Sequence, residues 1–470
     1  MRWLRTVPTR LRVESVESNV LCEMKRGIVV TYELVDNCLN TTFENIPDNV
    51  VTHAKMCLLN WASVAIGGSR HRAVEILVGM TRELDVSPQV SLLGRAEKTD
   101  LLWGALINGT SSHVHDFDDT HLETLNHPGS AIAPVCFALA EKLELSGRDL
   151  LRGFILGMEA DLRIGNAVSP SHYDAGWHIT STAGVFGAAV AAGILLGLNR
   201  DEMVFALGIA ATQASGLLEM LGTMTKLLHA GKAAQNGLLA ALLAGQGFDS
   251  TSRALEAPKG FAAVFAPQSD LTKVNVRWGH DWELLKVAFK PYACGIVLHP
   301  VIDACIALRK RTKPSDVKEI ELIVCPYTLI LTGKENPKTG LEAKYSVRHV
   351  AALAFLDGAA SVDQFTDARA LAPEIQSFAA RVNPVVDDNI RDDEAIMRLT
   401  KIDGTVDQVH ISHATGSREN PMTVSHLTEK FMALCGDRLG EKNALGFVER
   451  LGRLESESGI SALLSLGTAR

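Results

Sequence analysis

A short segment near residue 120 concentrates side chains that can donate and accept protons. Four histidines and three aspartates fall within residues 113–127. No lysine or arginine lies between Lys98 and Lys142 to pair with these carboxylates. Such a group of titratable side chains is typical of proton-transfer chemistry or of metal binding.

Two interpretations of this segment do not involve acid–base catalysis. His113, His115 and Asp116 are similar to the histidine–aspartate pair of metal-dependent phosphohydrolases, although ligands two residues apart do not share a helix face. In a purely structural role, Asp118 or Asp119 would cap the N-terminus of a helix. The residues alone leave both interpretations open.

The third interpretation is an acid–base site formed by Asp116, Thr120 and His127. If the segment is helical, Asp116 and Thr120 lie four residues apart on one face. Pro128-Gly129 indicates a turn that lifts His127 out of a helix. We favour this interpretation, with Asp118 or Asp119 in a supporting role.

Three segments later in the chain contain further candidate site residues, one histidine and two lysines. His178 precedes an apolar stretch that starts at Thr182, so it would face the N–H groups of a helix N-terminus, which suit anions. Lys226 stands near apolar residues, and Lys290 stands where the helical pattern ends; domain junctions are common ligand sites. Each residue also has an alternative without a function. His178 would be a hydrogen-bonded loop histidine, Lys226 a lysine that extends along the surface to solvent, and Lys290 part of an interdomain salt bridge.

Bulk composition narrows the class of protein. The chain of 470 residues has a net charge of −8 and no basic tract, which disfavours a nucleic-acid partner. Its eight cysteines show no close spacing, which indicates reduced thiols and a cytoplasmic protein. Four arginines without an acid in residues 1–12 make a mitochondrial presequence the alternative. The apolar run 182–198 is shorter than the roughly 20 residues of a membrane span and predicts a buried helix, without a membrane partner.

Residue patterning predicts a mainly α protein with two domains. Apolar residues recur at helical spacing from about residue 42 to 285. Alternation at 319–324 and 406–411 predicts strands, and a helix at 347–355 that ends at Gly358 lies between them. Further helices are predicted at 424–433 and 444–466. The expected parts are an N-terminal extension (1–30), a large all-helical domain (31–286), a smaller α+β lid domain (287–417) and C-terminal helices (418–470) that complete the helical domain.

Several motifs, in order along the chain, resemble the MmgE/PrpD family. They are His115-Asp116-Phe117-Asp118-Asp119-Thr120-His121 with His127-Pro128-Gly129, Gly176-Trp177-His178-x-Thr180, Thr225-Lys226-x-x-His229-Ala230-Gly231, Lys290-Pro291-Tyr292-x-x-Gly295, Ala343-Lys344-Tyr345-Ser346 and Gly416-Ser417-Arg418-Glu419-Asn420-Pro421. That family includes 2-methylcitrate dehydratase, cis-aconitate decarboxylase and iminodisuccinate epimerase. Asn60 stands where many members carry Asp.

The resemblance implies a homodimeric lyase, a dehydratase or decarboxylase, that acts on a small di- or tricarboxylate without a metal or organic cofactor. An epimerase of an iminodisuccinate-like dicarboxylate is the alternative. By position, the implied active-site residues are Asp116, Thr120, His127, His178, Lys226 and Lys290.

The resemblance also implies a role for each of these residues. The two lysines hold substrate carboxylates and stabilise developing negative charge. His127, oriented by Asp116, moves a proton, and His178 serves the opposite face or the leaving group. Thr120 hydrogen-bonds a substrate oxygen.

Overall fold

The structure, a computed structural model, describes residues 29–468. The predicted N-terminal extension and presequence therefore lie, apart from residues 29 and 30, outside the described residues. The longer helices are α1 (Val30–Asn40), α2 (Asp48–Gly68), α3 (Arg72–Glu83), α4 (Leu101–His113), α5 (Pro128–Leu143), α6 (Gly147–Val168), α7 (Gly184–Leu196), α8 (Arg200–Ala211), α9 (Met224–Ala244), α10 (His299–Arg309), α11 (Val347–Asp357), α12 (Val424–Leu439) and α13 (Glu441–Gly452). The strands are β1 (Val90–Ser91), β2 (Lys98–Thr99), β3 (Thr120–His121), β4 (Val287–Ala288), β5 (Val317–Val324), β6 (Val382–Val386), β7 (Ala395–Lys401) and β8 (Val406–Ile411).

The larger core is helical and centres on α7. This helix consists of small and apolar residues and packs against α5, α6 and α9. A Cβ added at Gly187 would lie 2.6 Å from the carbonyl oxygen of Gly157, so only glycine allows α6 and α7 to approach so closely. The stretch 179–196 is long and apolar enough to cross a membrane, but most of it is buried inside the protein. The prediction of a buried core helix is therefore confirmed.

Residues near both ends of the described chain contribute to this core. Helix α12 packs against α2 near the beginning of the described chain, and α13 packs against both. Phe431 and Phe447 from these two C-terminal helices join the same apolar cluster as Trp61. The tail predicted as one helix over 444–466 is divided, because α13 ends at Gly452 and a short helix occupies Ser461–Gly467.

The second core belongs to a smaller α+β unit. Four strands lie in the order β6-β5-β7-β8, with β6 parallel to β5 and the other pairs antiparallel. Helix α10 packs on β7, β8 and α11, and most buried apolar residues from Ala293 to Leu399, together with Val64 and Phe117, form a second cluster. The predicted strands at 319–324 and 406–411 are present. The prediction of a mainly α protein with a smaller α+β domain is confirmed.

A two-stranded ribbon links the His115–His127 segment to the end of the helical region. Strand β3 pairs antiparallel with β4, so that Thr120 lies opposite Ala288 and His121 opposite Val287. These strands are 167 residues apart in sequence, counted from 120 to 287. The pairing carries Lys290, two residues beyond β4, to the segment that contains Asp116.

Candidate active site

The carboxylate of Asp116 lies between two buried ammonium groups. Lys226 Nζ donates to Asp116 Oδ1 at 2.9 Å, and Lys290 Nζ lies 3.3 Å from the same oxygen and 3.1 Å from the Asp116 carbonyl. All three side chains are at most 4% exposed. Burial alone would raise the pKa of Asp116, but the two ammonium groups hold it well below its usual value. Two cations with one anion leave a positive charge that suits an anionic ligand.

Local backbone conformation creates this arrangement. Helix α4 ends three residues before Asp116, which has a φ of 52°, a left-handed conformation that aspartate tolerates better than most residues. The segment is not helical here and Thr120 lies in β3, so the expectation that Asp116 and Thr120 share a helix face is wrong. The turn directs the carboxylate toward Lys226, in the first turn of α9, and toward Lys290.

His127 presents an unprotonated nitrogen to the same region. Its Nδ1 lies 2.8 Å from the carbonyl oxygen of Asp119 and 3.2 Å from Thr120 Oγ1. Because a carbonyl only accepts, Nδ1 carries the proton and Nε2 keeps its lone pair. Nε2 lies 4.0 Å from Asp116 Oδ1, and burial lowers the pKa of His127 to about 3. The main chain of Asp119 therefore orients this ring, not Asp116 as expected.

The structure corrects one further local expectation and separates the roles of the two neighbouring aspartates. Pro128-Gly129 does not form a turn, because Pro128 is the first residue of α5 and His127 occupies its N-cap position. Asp118 does not cap a helix; its Oδ2 accepts from His113 Nδ1 at 2.6 Å. Asp119 is fully buried, and its carboxylate lies against the N-terminus of α5: a Cβ added at Gly129, the second residue of that helix, would lie 2.7 Å from Asp119 Oδ1, and the Gly129 N–H lowers the pKa of this carboxyl group.

His178 is a second histidine that lines the same space as Asp116 and His127. It directly precedes the short helix Ile179–Thr182, three residues before the expected helix start at Thr182. Its main-chain N–H donates to the Gly216 carbonyl at 3.0 Å. Its Nδ1 lies 2.9 Å from His229 Nδ1. Burial, and next the charge of Lys226, lower its pKa well below the usual value. At neutral pH this ring, like that of His127, is uncharged when no ligand is present.

The six predicted residues surround one small cleft of about 60 Å³ between the two cores. Its lining also includes residues that the sequence did not assign a role, namely Leu125, Tyr173, Leu221, Gly295, Ile296, Val297, Leu331, Thr332 and Tyr345. Two of these carry phenolic hydroxyls that can bind carboxylates. Tyr345 stands in one of the motifs quoted above, so its residue type was the available signal, whereas Tyr173 lies three residues before the nearest motif.

The metal-dependent phosphohydrolase interpretation does not fit the geometry. The ring of His115 lies 6.2 Å from that of His71, and its carbonyl accepts from Lys344, away from the Asp116 carboxylate. Among residues 29–468, the clusters whose donor atoms lie close enough to share a metal ion do not include His115 or Asp116. The left-handed turn at Asp116 separates these two neighbours, so His113, His115 and Asp116 do not form one ligand set.

Comparison with known proteins identifies the fold. Residues 32–273 match the MmgE/PrpD N-terminal domain, and residues 292–451 match the MmgE/PrpD C-terminal domain. The chain belongs to the MmgE/PrpD family. The two matched regions meet at the cleft, since Asp116 and Lys226 lie in the first and Tyr345 lies in the second.

Three relatives with the same named activity align with nearly the whole chain. The chain is 28% identical to the cis-aconitate decarboxylase of Aspergillus terreus, over 96% of this chain and 97% of that protein. It is 29% identical to the cis-aconitate decarboxylase of Mus musculus, over 89% and 90%, and 27% identical to that of Homo sapiens, over 90% and 91%. The prediction of an enzyme of the lyase class in this family is confirmed by these relatives.

Proposed function

We propose that this enzyme decarboxylates an unsaturated tricarboxylate of the cis-aconitate type. The observation that carries the proposal is the similarity to cis-aconitate decarboxylases over nearly the whole chain. The cleft supports it, because Lys226 and Lys290 offer two cations against the single anion of Asp116. Two uncharged imidazoles, those of His127 and His178, face the same space.

The proposed reaction breaks one carbon–carbon bond and consumes one proton. A carboxylate next to an allylic carbon leaves as CO₂, and the electron pair of its bond forms a new double bond. The original double bond shifts its pair to the neighbouring carbon, which takes a proton. Lys226 and Lys290 hold the remaining carboxylates and stabilise the transient negative charge. One imidazole delivers the proton, and the other, charged once the anion is bound, stabilises the developing charge.

Proton NMR in D₂O tests the proposal directly. The wild-type enzyme is incubated separately with cis-aconitate, citrate, methylcitrate, itaconate and iminodisuccinate. Decarboxylation of cis-aconitate, with one deuterium added to the carbon chain of the product, is the expected result. Water loss from citrate or methylcitrate, or inversion of iminodisuccinate, without any decarboxylation of cis-aconitate, would replace the proposal by a dehydratase or an epimerase.

The histidine variant adds a test of the site. His127→Ala should lower turnover of the true substrate by about 10²–10⁴-fold, the usual contribution of a positioned acid or base. His349→Ala is the matched control, because His349 is also buried but lies in α11 outside the cleft lining. Equal turnover of His127→Ala and the control would contradict the assignment.

The homodimer and the cytoplasmic location are further proposals. Light scattering of the purified enzyme should give twice the mass of one chain. A monomer with full turnover would contradict the homodimer.

The cellular location is measured by microscopy of the tagged full chain, with a second form that lacks residues 1–28 as the comparison.

A further inference from the structure

A second imidazole lies directly behind His178. His229 Nδ1 is 2.9 Å from His178 Nδ1, and the two ring centroids are 5.0 Å apart. Of two nitrogens at this distance one donates and the other accepts, so the rings share one proton. His229 stands three residues after Lys226 in α9 and therefore lies on the same helix face.

The two ends of this pair face different surroundings. His178 lines the cleft and His229 does not. Neither Nε2 atom has a protein partner within residues 29–468, and neither is fully buried. His229 is next to the loop that contains Gly216, where an added Cβ would lie 3.4 Å from its Nδ1. His229 is 7% exposed and His178 3%, so solvent reaches the outer ring more than the ring that lines the cleft.

A decarboxylase needs such a route, because each turnover consumes a proton while the substrate fills the cleft. Resting on the proposed function, we propose that His229 relays a proton from solvent to His178, which delivers it to the substrate carbon. The relay runs from His229 Nε2 through the shared Nδ1 proton to His178 Nε2.

The proton balance closes over one turnover. Before reaction, His229 Nδ1–H donates to His178 Nδ1, and His178 carries its single proton on Nε2. Solvent protonates His229 Nε2, His178 Nε2–H moves to the substrate carbon, and the shared proton crosses to His178 Nδ1. Both rings end uncharged, and the added proton neutralises the charge left by CO₂ departure. After product release, water in the open cleft returns the pair to its first tautomers.

The charges around the pair couple this relay to substrate binding. Lys226, His113, His127 and His229 face His178, and Lys226 and His113 face His229. Burial and these neighbours lower the pKa of His178, and burial lowers the pKa of His229 to about 4. Bound carboxylates reverse the local field, because they favour the protonated imidazole. The pair therefore takes up a proton when the substrate arrives.

Chemical rescue tests the relay. His229→Ala should lower kcat by about 10²-fold with little change in KM, since His229 does not touch the substrate. Imidazole added to the solution should restore turnover, because it can occupy the space and carry the proton. His349→Ala serves as the control, with a similarly buried ring whose Nδ1 lies 3.2 Å from Ser346 Oγ. Normal kcat in His229→Ala, or a loss that imidazole does not restore, would overturn the relay.

Nitrogen NMR separates failure of the relay from failure of the proposed function. In wild-type enzyme labelled with ¹⁵N-histidine, saturating citrate at neutral pH should convert His229 to its doubly protonated form. If cis-aconitate is not decarboxylated but citrate still protonates His229, the function fails and the proton path stands. If cis-aconitate is decarboxylated and His229 stays neutral with citrate bound, the relay is overturned and the function stands.

Discussion

At the scale of single residues, the carboxylate of Asp116 holds two ammonium groups together. Asp116→Asn keeps an acceptor for Lys226 and Lys290 and tolerates the left-handed backbone, so it removes the charge alone. Leaving buried charges without their partner should lower the free energy of unfolding by about 3 kcal/mol. Urea denaturation measures the loss, with the exposed Asp388→Asn as the control. If Asp116→Asn were as stable as wild type, Asp116 would not hold the two ammonium groups together.

Citrate should recover more stability in Asp116→Asn than in wild type.

A second carboxylate predicts how stability depends on pH. Burial, and then the charge of Asp118, raise the pKa of Asp119 from 3.8 to about 8. The folded protein therefore binds more protons than the unfolded chain between these two values, and its stability should fall as pH rises through that window. Burial raises the pKa of Asp161 in the same direction.

The variant Asp119→Asn isolates this contribution. Asparagine has no charge to bury, so the decline in the free energy of unfolding between pH 5 and 8 should become smaller, by at most roughly 4 kcal/mol. Chemical denaturation at a series of pH values measures the slope. Asp161 still titrates in this variant, so some slope remains. A slope identical to wild type would show that Asp119 is ionised in the folded protein.

At this scale the sequence predicted which side chains meet but not how they are oriented. Asp116, His127 and Lys226 were identifiable because titratable residues concentrate in few segments. Their orientation depends on the left-handed turn at Asp116 and on the main-chain carbonyl of Asp119. Neither backbone feature leaves a residue pattern, so a helix was the natural expectation.

At the scale of elements, one buried lysine from a C-terminal helix holds two segments of the site in place. Lys430 Nζ donates to Asn60 Oδ1, the Phe117 carbonyl and the Lys290 carbonyl, at 2.8, 2.7 and 2.9 Å. These bonds connect α12 to α2, to the segment next to Asp116 and to the chain after β4. The ammonium also lies over the Phe117 ring, 3.6 Å from its centroid.

Replacing this lysine should affect stability and catalysis together. Lys430→Met fills the space but leaves three buried acceptors without a donor, at a cost of about 1–3 kcal/mol for each unsatisfied group. Turnover should fall as well, because the main chain of Lys290 loses its support. Thermal unfolding and turnover are compared with Lys442→Met, an exposed lysine in α13. A variant as stable and active as that control would contradict the role of α12.

Long stretches of regular structure could be predicted from the sequence, whereas very short elements could not. The helical region from about residue 42 to 285 was recognised because apolar residues repeat over many turns. The two-residue strands β3 and β4 leave no periodicity, although their pairing delivers Lys290 to the site. Strand β6 contains Pro384, which disfavours a strand assignment except at an edge, and β6 is an edge strand.

At the scale of the whole molecule, the cleft joins two separately packed cores. Asp116 and Lys226 belong to the helical region, whereas Ile296, Val297 and Tyr345 belong to the part of the chain that matches the C-terminal domain of the family. A ligand in the cleft contacts both sides at once. Its binding energy therefore stabilises both cores and the contact between them, not only the residues that it touches.

Hydrogen exchange tests this coupling. Citrate at about 100 times its Kd stabilises the liganded fold by roughly 2.7 kcal/mol. We expect slower hydrogen exchange in α11 of the smaller α+β unit as well as in α9, which carries Lys226. Sulfate at equal ionic strength is the control, because it cannot bridge the two cores through several carboxylates.

In Lys226→Met the effect of citrate on hydrogen exchange in α11 should disappear, although this lysine belongs to the helical core. Unchanged exchange in α11 with citrate bound to wild-type enzyme would mean that the ligand contacts the helical region alone.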